Sequence, residues 1–301
     1  MKKFKEKLSG RIFLLLALSS ISALVLITVF IFVQGLPIIA KVGFFKFISG
    51  MEWAPGEGEF GIFPMIAGTV SVTLGAALIG IPVGICCSIF MAELAPEKMR
   101  KIFRPAIQLL AGIPSVLYGF CGLIFVVPLI RDYLGGPGMS ILAGSIILAI
   151  MILPTIISIS EVSLIALPRH YKEGALALGM THWQTILRVQ LPAAKSGIVA
   201  AVILGIGRAI GETMAVIMVL GNSVAIPESI LDSVRTLTTN IGLEMAYASD
   251  EHQQALFATG IVLFVIIMIL NATAQYITRK KHSKTQNKRK SNETKNQTAD
   301  R

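Results

Sequence analysis

The chain has 301 residues, of which 54% are hydrophobic and 15% charged, with a formal net charge of +10. Soluble domains carry roughly 25% charge, so the composition argues against a soluble enzyme and for a membrane protein. Spanning a bilayer as helix takes about 20 predominantly apolar residues, and six stretches qualify: about 12–34, 64–91, 103–130, 141–160, 197–221 and 256–277. None alternates with the period of a barrel strand, so the expected fold class is an all-α integral membrane protein with six transmembrane helices.

The first stretch follows Lys2, Lys3, Lys5 and Lys7. Its apolar run is longer than the 7–15 residues of a signal peptide and no small-residue cleavage site closes it, so it reads as a retained helix. The connection Gly35–Phe63 contains Trp53-Ala-Pro55, Glu57, Glu59 and Phe60-Gly61. Its amphipathic beginning, Leu36–Ile48 with Lys41 and Lys46, is expected to lie along the membrane interface. Spans two to four carry Pro82, Pro114 and Pro154, which transmembrane helices accommodate when neighbours satisfy the freed carbonyls. The pairs Gly80 and Gly84, and Gly207 and Gly211, have the small-x-x-x-small spacing that lets helices approach. Cys86, Cys87 and Cys121 fall within spans, at no metal-ligand spacing, and are expected to act as small buried hydrophobes. Ser71, Thr73, Gln108, Ser115, Tyr118, Ser145 and Thr155 are polar groups that either line a cavity or bond between helices.

Between the fourth and fifth spans, residues 161–196 form a polar connection with internal order: Glu173-Gly174-Ala175, then Gly179, then Leu191-Pro192. Ala175, Leu176 and Leu178 fall at helical spacing, and Gly179 permits a sharp exit turn. Glu161, at the start of this connection, is expected to meet the loop's cations or water. The fifth span encloses Arg208 and Glu212, four residues apart and so on one face of a continuous helix. Arg208 lies eleven residues beyond Gly197, about 16 Å along a helix, near mid-membrane. A charge there costs about 2.5–3.5 kcal/mol on insertion scales and faces a bundle interior or an aqueous cavity. The loop 222–255 holds Glu228, Asp232, Glu244, Asp250 and Glu251 against Arg235, a poor lure for anions and either a permissive exterior loop or a docking rim. The tail 278–301 has nine basic residues against Glu293 and Asp300 and little to bury, and is expected to be disordered beside anionic lipid.

Placing the N-terminus inside puts 22 of the 27 Lys and Arg residues in inner segments and four outside, so both termini are expected in the cytoplasm of a multi-pass cell-membrane protein. This distribution accounts for the net charge without a nucleic-acid partner. The histidines His170, His182, His252 and His282 form no HExxH-like pair, and no nucleophile–base arrangement or phosphate-cradling glycine loop is present. No catalytic residue, metal ligand or cofactor is therefore assigned to the chain.

The order Glu-x-Ala, Gly six residues later and Leu-Pro eighteen residues later resembles the EAA loop of bacterial ABC-importer permeases, with Gly174 where that family has its first Ala. The sequences Gly207-Arg208-Ala-Ile-Gly-Glu212-Thr213-Met, Pro114-Ser115-Val-Leu-Tyr118-Gly and Trp53-Ala-Pro with Phe60-Gly-Ile-Phe-Pro64 are similar to phosphate-specific permeases of the PstC type rather than the PstA type. The likeness runs from about residue 12 to 277 and implies a type I ABC-importer permease fold. Its core is about 64–277, with 161–196 as the coupling loop, flanked by basic cytoplasmic segments at 1–11 and 278–301. It also implies a second, PstA-type permease, two PstB-type ATPase subunits that bind the ATP and magnesium, and an external PstS-type phosphate-binding protein. On this resemblance Glu173, Gly174, Ala175, Gly179, Leu191 and Pro192 couple to the ATPase. Arg208, Glu212, Thr213 and Ser115 are candidates for the substrate path, with Glu212 expected to hold Arg208 in place. The alternatives are a permease for another oxyanion (molybdate, sulfate or phosphonate) and an ion-coupled secondary carrier. The latter needs an inverted repeat, and none is evident.

Overall fold

The computed structural model describes residues 2–273, with side chains from Arg11 onward; the basic tail assigned to 278–301 lies outside the described residues. Among these, six helices are long and apolar enough to cross a membrane: Arg11–Val42, Phe63–Leu94, Ser115–Leu134, Ile141–Ile165, His182–Ile210 and Asp250–Thr273. The described residues divide into two compact units, one of residues 2–63 with 240–264 and one of residues 64–239 with 265–273.

In the first unit, the helix Lys2–Val42 runs without a break for 41 residues. It meets the sixth span through edge-to-face pairs Phe30–Phe257 and Phe32–Phe264, with ring centroids 5.5 and 6.2 Å apart. Gly35 makes this possible: a Cβ there would lie 2.7 Å from the backbone nitrogen of Ala258. The expected interfacial helix is not separate, because Leu36–Val42 continues the first span. Ile38 and Phe47 are buried, and Gly43, at φ 90°, turns the chain into the short helix Phe44–Ser49. A two-residue hairpin pairs Trp53 with Phe60 and Ala54 with Glu59. It is fastened by Trp53 Nε1, which donates to Glu244 Oε2 at 2.8 Å, the oxygen that also meets His252 Nε2 at 2.8 Å.

The second unit is built around Ile141–Ile165. Two-thirds of that span's most apolar window is buried, against 22–33% for Phe63–Leu94, Ser115–Leu134 and His182–Ile210. Ser140 starts it by accepting the Ala143 N–H. Ile147, Met151, Ile152 and Ile156 are its core side chains. Gly80 and Gly84 of the second span take Ile152 and Ile156, while Gly205 takes Ile156 from the other side. A methyl at Gly80 or Gly84 would come within 3 Å of those side chains, so this pair is a packing motif as its spacing predicts. The other pair is not: Gly207 faces open space, and Gly211 meets only carbonyls of its own helix.

Two boundaries and one burial differ from the sequence reading. Residues 97–112 form a separate amphipathic helix, Glu97–Gly112, with no buried residue. It ends because Ile113 precedes Pro114 and is forced to extended backbone (φ −68°, ψ 128°), so the third span begins at Ser115. The fifth span begins at His182, fifteen residues before the expected Gly197. Pro192 directly follows the π-turn Ile186–Gln190, which joins the helix Leu191–Ile210 to the turn before it, and such a bulge is where a helix takes up an interruption of its bonding ladder. Last, Cys86 and Cys121 are exposed and Cys87 half-exposed, so the cysteines are not the buried hydrophobes expected.

Candidate substrate path and coupling loop

The fifth span stops at Ile210. Gly211 caps it, Glu212 and Thr213 are non-helical, and a second short helix, Met214–Val219, follows. The expected single helix carrying Arg208 and Glu212 on one face is therefore absent. Arg208 occupies the last turn of the first piece, and Glu212 lies in the break. Among the described residues Arg208 makes no ion pair. The Glu212 carboxylate turns the other way, and its Oε1 accepts the Ala215 N–H at 3.1 Å. It thereby supplies the cap that Thr213, the residue at the N-cap position, does not. The Glu212 carbonyl is satisfied by Thr238 Oγ1 at 2.8 Å.

The break in the fifth span is packed against the start of the third. Gly119 of the helix Ser115–Cys121 lies so close to Met214–Val219 that an added Cβ would be 2.9 Å from the Ala215 Cα and carbonyl oxygen. Tyr118 is buried on the same short helix. Its hydroxyl donates to the Leu110 carbonyl at 2.7 Å, bridging the Ile113-Pro114 break. Ser115 is half-buried in the first turn of this helix and Thr213 is half-buried in the facing break. Two interrupted helices thus meet here, which is how transporters expose backbone polar groups at membrane depth. Each charge also sits at the helix terminus that favours it: the arginine at a C-terminus, the glutamate at an N-terminus.

The connection expected to act as the coupling loop is shorter than its sequence bounds. The fourth span continues to Ile165 and the fifth starts at His182, leaving 166–181 between them. Within it lies the helix His170–Ala177. Gly179, at φ +82°, ends it, with the Met180 N–H bonding to the Ala175 carbonyl and the Gly179 N–H to the Leu176 carbonyl. This paired arrangement is the glycine-terminated motif that satisfies two carbonyls of the last turn. Ala175 is buried, whereas Glu173, Gly174, Leu176 and Leu178 face outward, Leu178 with 86% of its surface exposed. Thr181 and Gln184 then form a reciprocal capping box that starts the fifth span. Leu191 and Pro192 fall inside that span, remote in sequence from the exposed helix.

Two carboxylates at this end of the unit hold the elements together. Glu161 receives Arg104 Nε at 2.9 Å and NH2 at 2.7 Å, so its cation comes from the amphipathic helix Glu97–Gly112 rather than from the loop as expected. Glu93, in the π-turn Phe90–Leu94 that ends the second span, receives Lys172 Nζ at 2.6 Å and Gln190 Nε2 at 2.8 Å. Sequence reasoning missed Glu93. Its only signal was an isolated acidic residue after a long apolar run. Alongside, a cavity of about 380 Å³ is lined by Glu93, Arg100, Arg104, Arg169, Lys172 and Gln190 among others.

Comparison with known proteins gives a consistent result. Residues 84–283 match the family described as binding-protein-dependent transport system inner membrane component. The chain is 43% identical over 273 residues, 88% of each chain, to a Bacillus subtilis protein named probable ABC transporter permease protein YqgH. It is 36% identical to the phosphate transport system permease protein PstC of Xylella fastidiosa, over 73% of this chain and 74% of that one. It is 37% identical to the PstC of Mesorhizobium japonicum, over 77% and 78%. Two solved transporters share its fold at low identity. A bacterial ABC transporter for alginate import has a TM-score of 0.59 at 18% identity, over 86% of this chain and 95% of that one. The MetNI methionine ABC transporter has a TM-score of 0.56 at 19% identity, over 71% and 92%. With six spans, a type I importer permease fold and no enzymatic role, the chain belongs to the binding-protein-dependent transport system inner membrane component family and is an ABC-importer permease.

Proposed function

We propose that this permease carries inorganic phosphate inward as one half of a heteromeric pore. A PstA-type permease completes the pore, two PstB-type subunits bind and hydrolyse ATP with magnesium, and a PstS-type receptor delivers the anion. The observation that carries this reading is the likeness to PstC proteins over about three-quarters of the chain, together with an arginine that has no carboxylate partner among the described residues and lies where two interrupted helices meet. A free guanidinium in a span is tolerable only beside water or a partner, and its forked donors match the oxygens of a phosphate. Both termini face the cytoplasm, an orientation supported by the Lys and Arg distribution. The exposed helix His170–Ala177, with Glu173, Gly174 and Ala175, then meets the ATPase on the inner side, and Leu191 and Pro192 begin the helix that carries its motion to Arg208.

The test is uptake of radiolabelled phosphate by phosphate-starved cells with and without the gene. High-affinity uptake that disappears with the gene, and that arsenate competes away but excess sulfate and molybdate do not, is the expected result. Unchanged uptake in cells with no second phosphate system refutes the cargo and leaves another oxyanion.

A further inference from the structure

The Glu93 carboxylate ends the second span, yet one of its oxygens is held by the loop 166–181 and the other by the fifth span. Oε2 takes Lys172 of the exposed helix His170–Ala177, and Oε1 takes Gln190, the residue before Leu191-Pro192. The partners are 79 and 97 positions away in sequence. The Glu93 side chain is only 10% exposed, and Gln190 is 4% exposed. Within the loop helix only Ala175 is buried, so Lys172 is its chief polar tie to a span. The second span has no other ionic link to this helix among the described residues.

We propose that Glu93 is the joint through which the coupling loop and the second span move together, so that displacement of the loop helix is delivered to two spans at once. Resting on the function proposed above, this makes Glu93 a positioning residue for transport. Coupling between binding events is reciprocal in free energy. A joint that links ATP binding to the spans therefore also links receptor docking to the ATPases, and receptor-stimulated hydrolysis reads that link. A strut that merely holds the fold would carry neither selectively.

The local chemistry also supplies a stringent rescue. Gln190 Oε1 is buried and has no partner. If Glu93 and Lys172 are exchanged, the amide can turn to offer Oε1 to the ammonium now at position 93, while the acid at position 172 restores the ion pair. A packing role has no reason to recover under such an exchange.

The experiment uses the assembled transporter in proteoliposomes, with liganded receptor added, for wild type, Glu93→Ala, Lys172→Met and the exchange Glu93→Lys/Lys172→Glu. Lys172 is about one-third exposed, so its variant tests the tie with little risk to folding. The expected result is basal ATP hydrolysis within twofold of wild type, receptor stimulation and phosphate uptake reduced at least fivefold in both single variants, and at least half of the stimulation regained by the exchange. Stimulation that survives in the single variants overturns the proposal. So does a parallel fall of basal and stimulated hydrolysis that the exchange does not repair. If wild-type transporter hydrolyses ATP on receptor addition but imports no phosphate, the cargo reading fails alone, because the joint is scored on hydrolysis.

Discussion

Replacing Arg208 with alanine tests the proposed path most directly. The guanidinium lies in the last turn of Leu191–Ile210 with no ion-pair partner among the described residues, so its full donor set is open to an anion. A hydrogen bond to a charged group contributes about 1.5–3 kcal/mol. At about 1.4 kcal/mol per tenfold, Arg208→Ala lowers phosphate uptake by roughly 10- to 150-fold if the contact is made at the rate-limiting stage. Arg208→Lys keeps the charge and loses the fork, so it falls between the two. The stability cost is small, since a cation at a helix C-terminus contributes about 0.3–1 kcal/mol. Complex assembly, followed by co-purification of the ATPase subunits, is therefore expected to be unchanged. The assay is initial-rate uptake at saturating receptor, normalised to assembled complex. Uptake of Arg208→Ala within twofold of wild type, with normal assembly, refutes the path assignment and leaves the arginine as a packing feature.

Glu212→Gln retains a carbonyl oxygen for the Ala215 N–H, whereas Glu212→Ala removes the cap and costs about 0.5–2 kcal/mol. Thermal unfolding of the detergent-solubilised complex is expected to rank wild type, Gln and Ala in descending order, and an equal loss for both variants would show that charge, not capping, matters. Gly179→Ala places a Cβ in the left-handed region at a cost of about 1–2 kcal/mol; receptor-stimulated hydrolysis is expected to fall while protein yield holds, with Gly179→Asn milder. Arg104→Ala leaves the Glu161 carboxylate, 8% exposed, without its cation. Breaking a buried pair costs about 3–5 kcal/mol, but Arg104 is half-exposed, so a loss nearer 1–2 kcal/mol is expected in the same unfolding assay, relieved in part by Arg104→Ala/Glu161→Leu.

The number and kind of spans were legible because a bilayer demands long apolar runs and the chain supplies six. The turn after His170–Ala177 was legible too, since glycine at a helix end has one dominant structural meaning and Gly179 realises it. What escaped was where runs break. Glu97–Gly112 merges with Ser115–Leu134 in any hydropathy window, and only the backbone restriction on Ile113 separates them. Conversely, Arg188, Pro192 and Lys195 made the start of the fifth span read as loop, although proline directly after a π-turn and charges near a membrane surface are both compatible with helix. Glu93 and Glu161 escaped for another reason: a carboxylate's partner in a folded bundle is set by tertiary packing, and nothing local to either residue names it.

The break at Gly211–Thr213 changes the physical meaning of the Arg208 and Glu212 spacing. On one continuous helix the two would form an ion pair, and an incoming phosphate would have to displace a full negative charge from the arginine. With the helix interrupted, Glu212 is engaged by the Ala215 N–H, and among the described residues Arg208 has no carboxylate partner and is balanced by a helix C-terminus equivalent to about half a charge. Half a charge stabilises the guanidinium when the path is empty and competes weakly when an anion arrives. It also subtracts from the arginine's attraction, which keeps binding shallow enough for release, as a conduit requires. On the proposed reading, then, the discontinuity sets the strength of the transient phosphate contact.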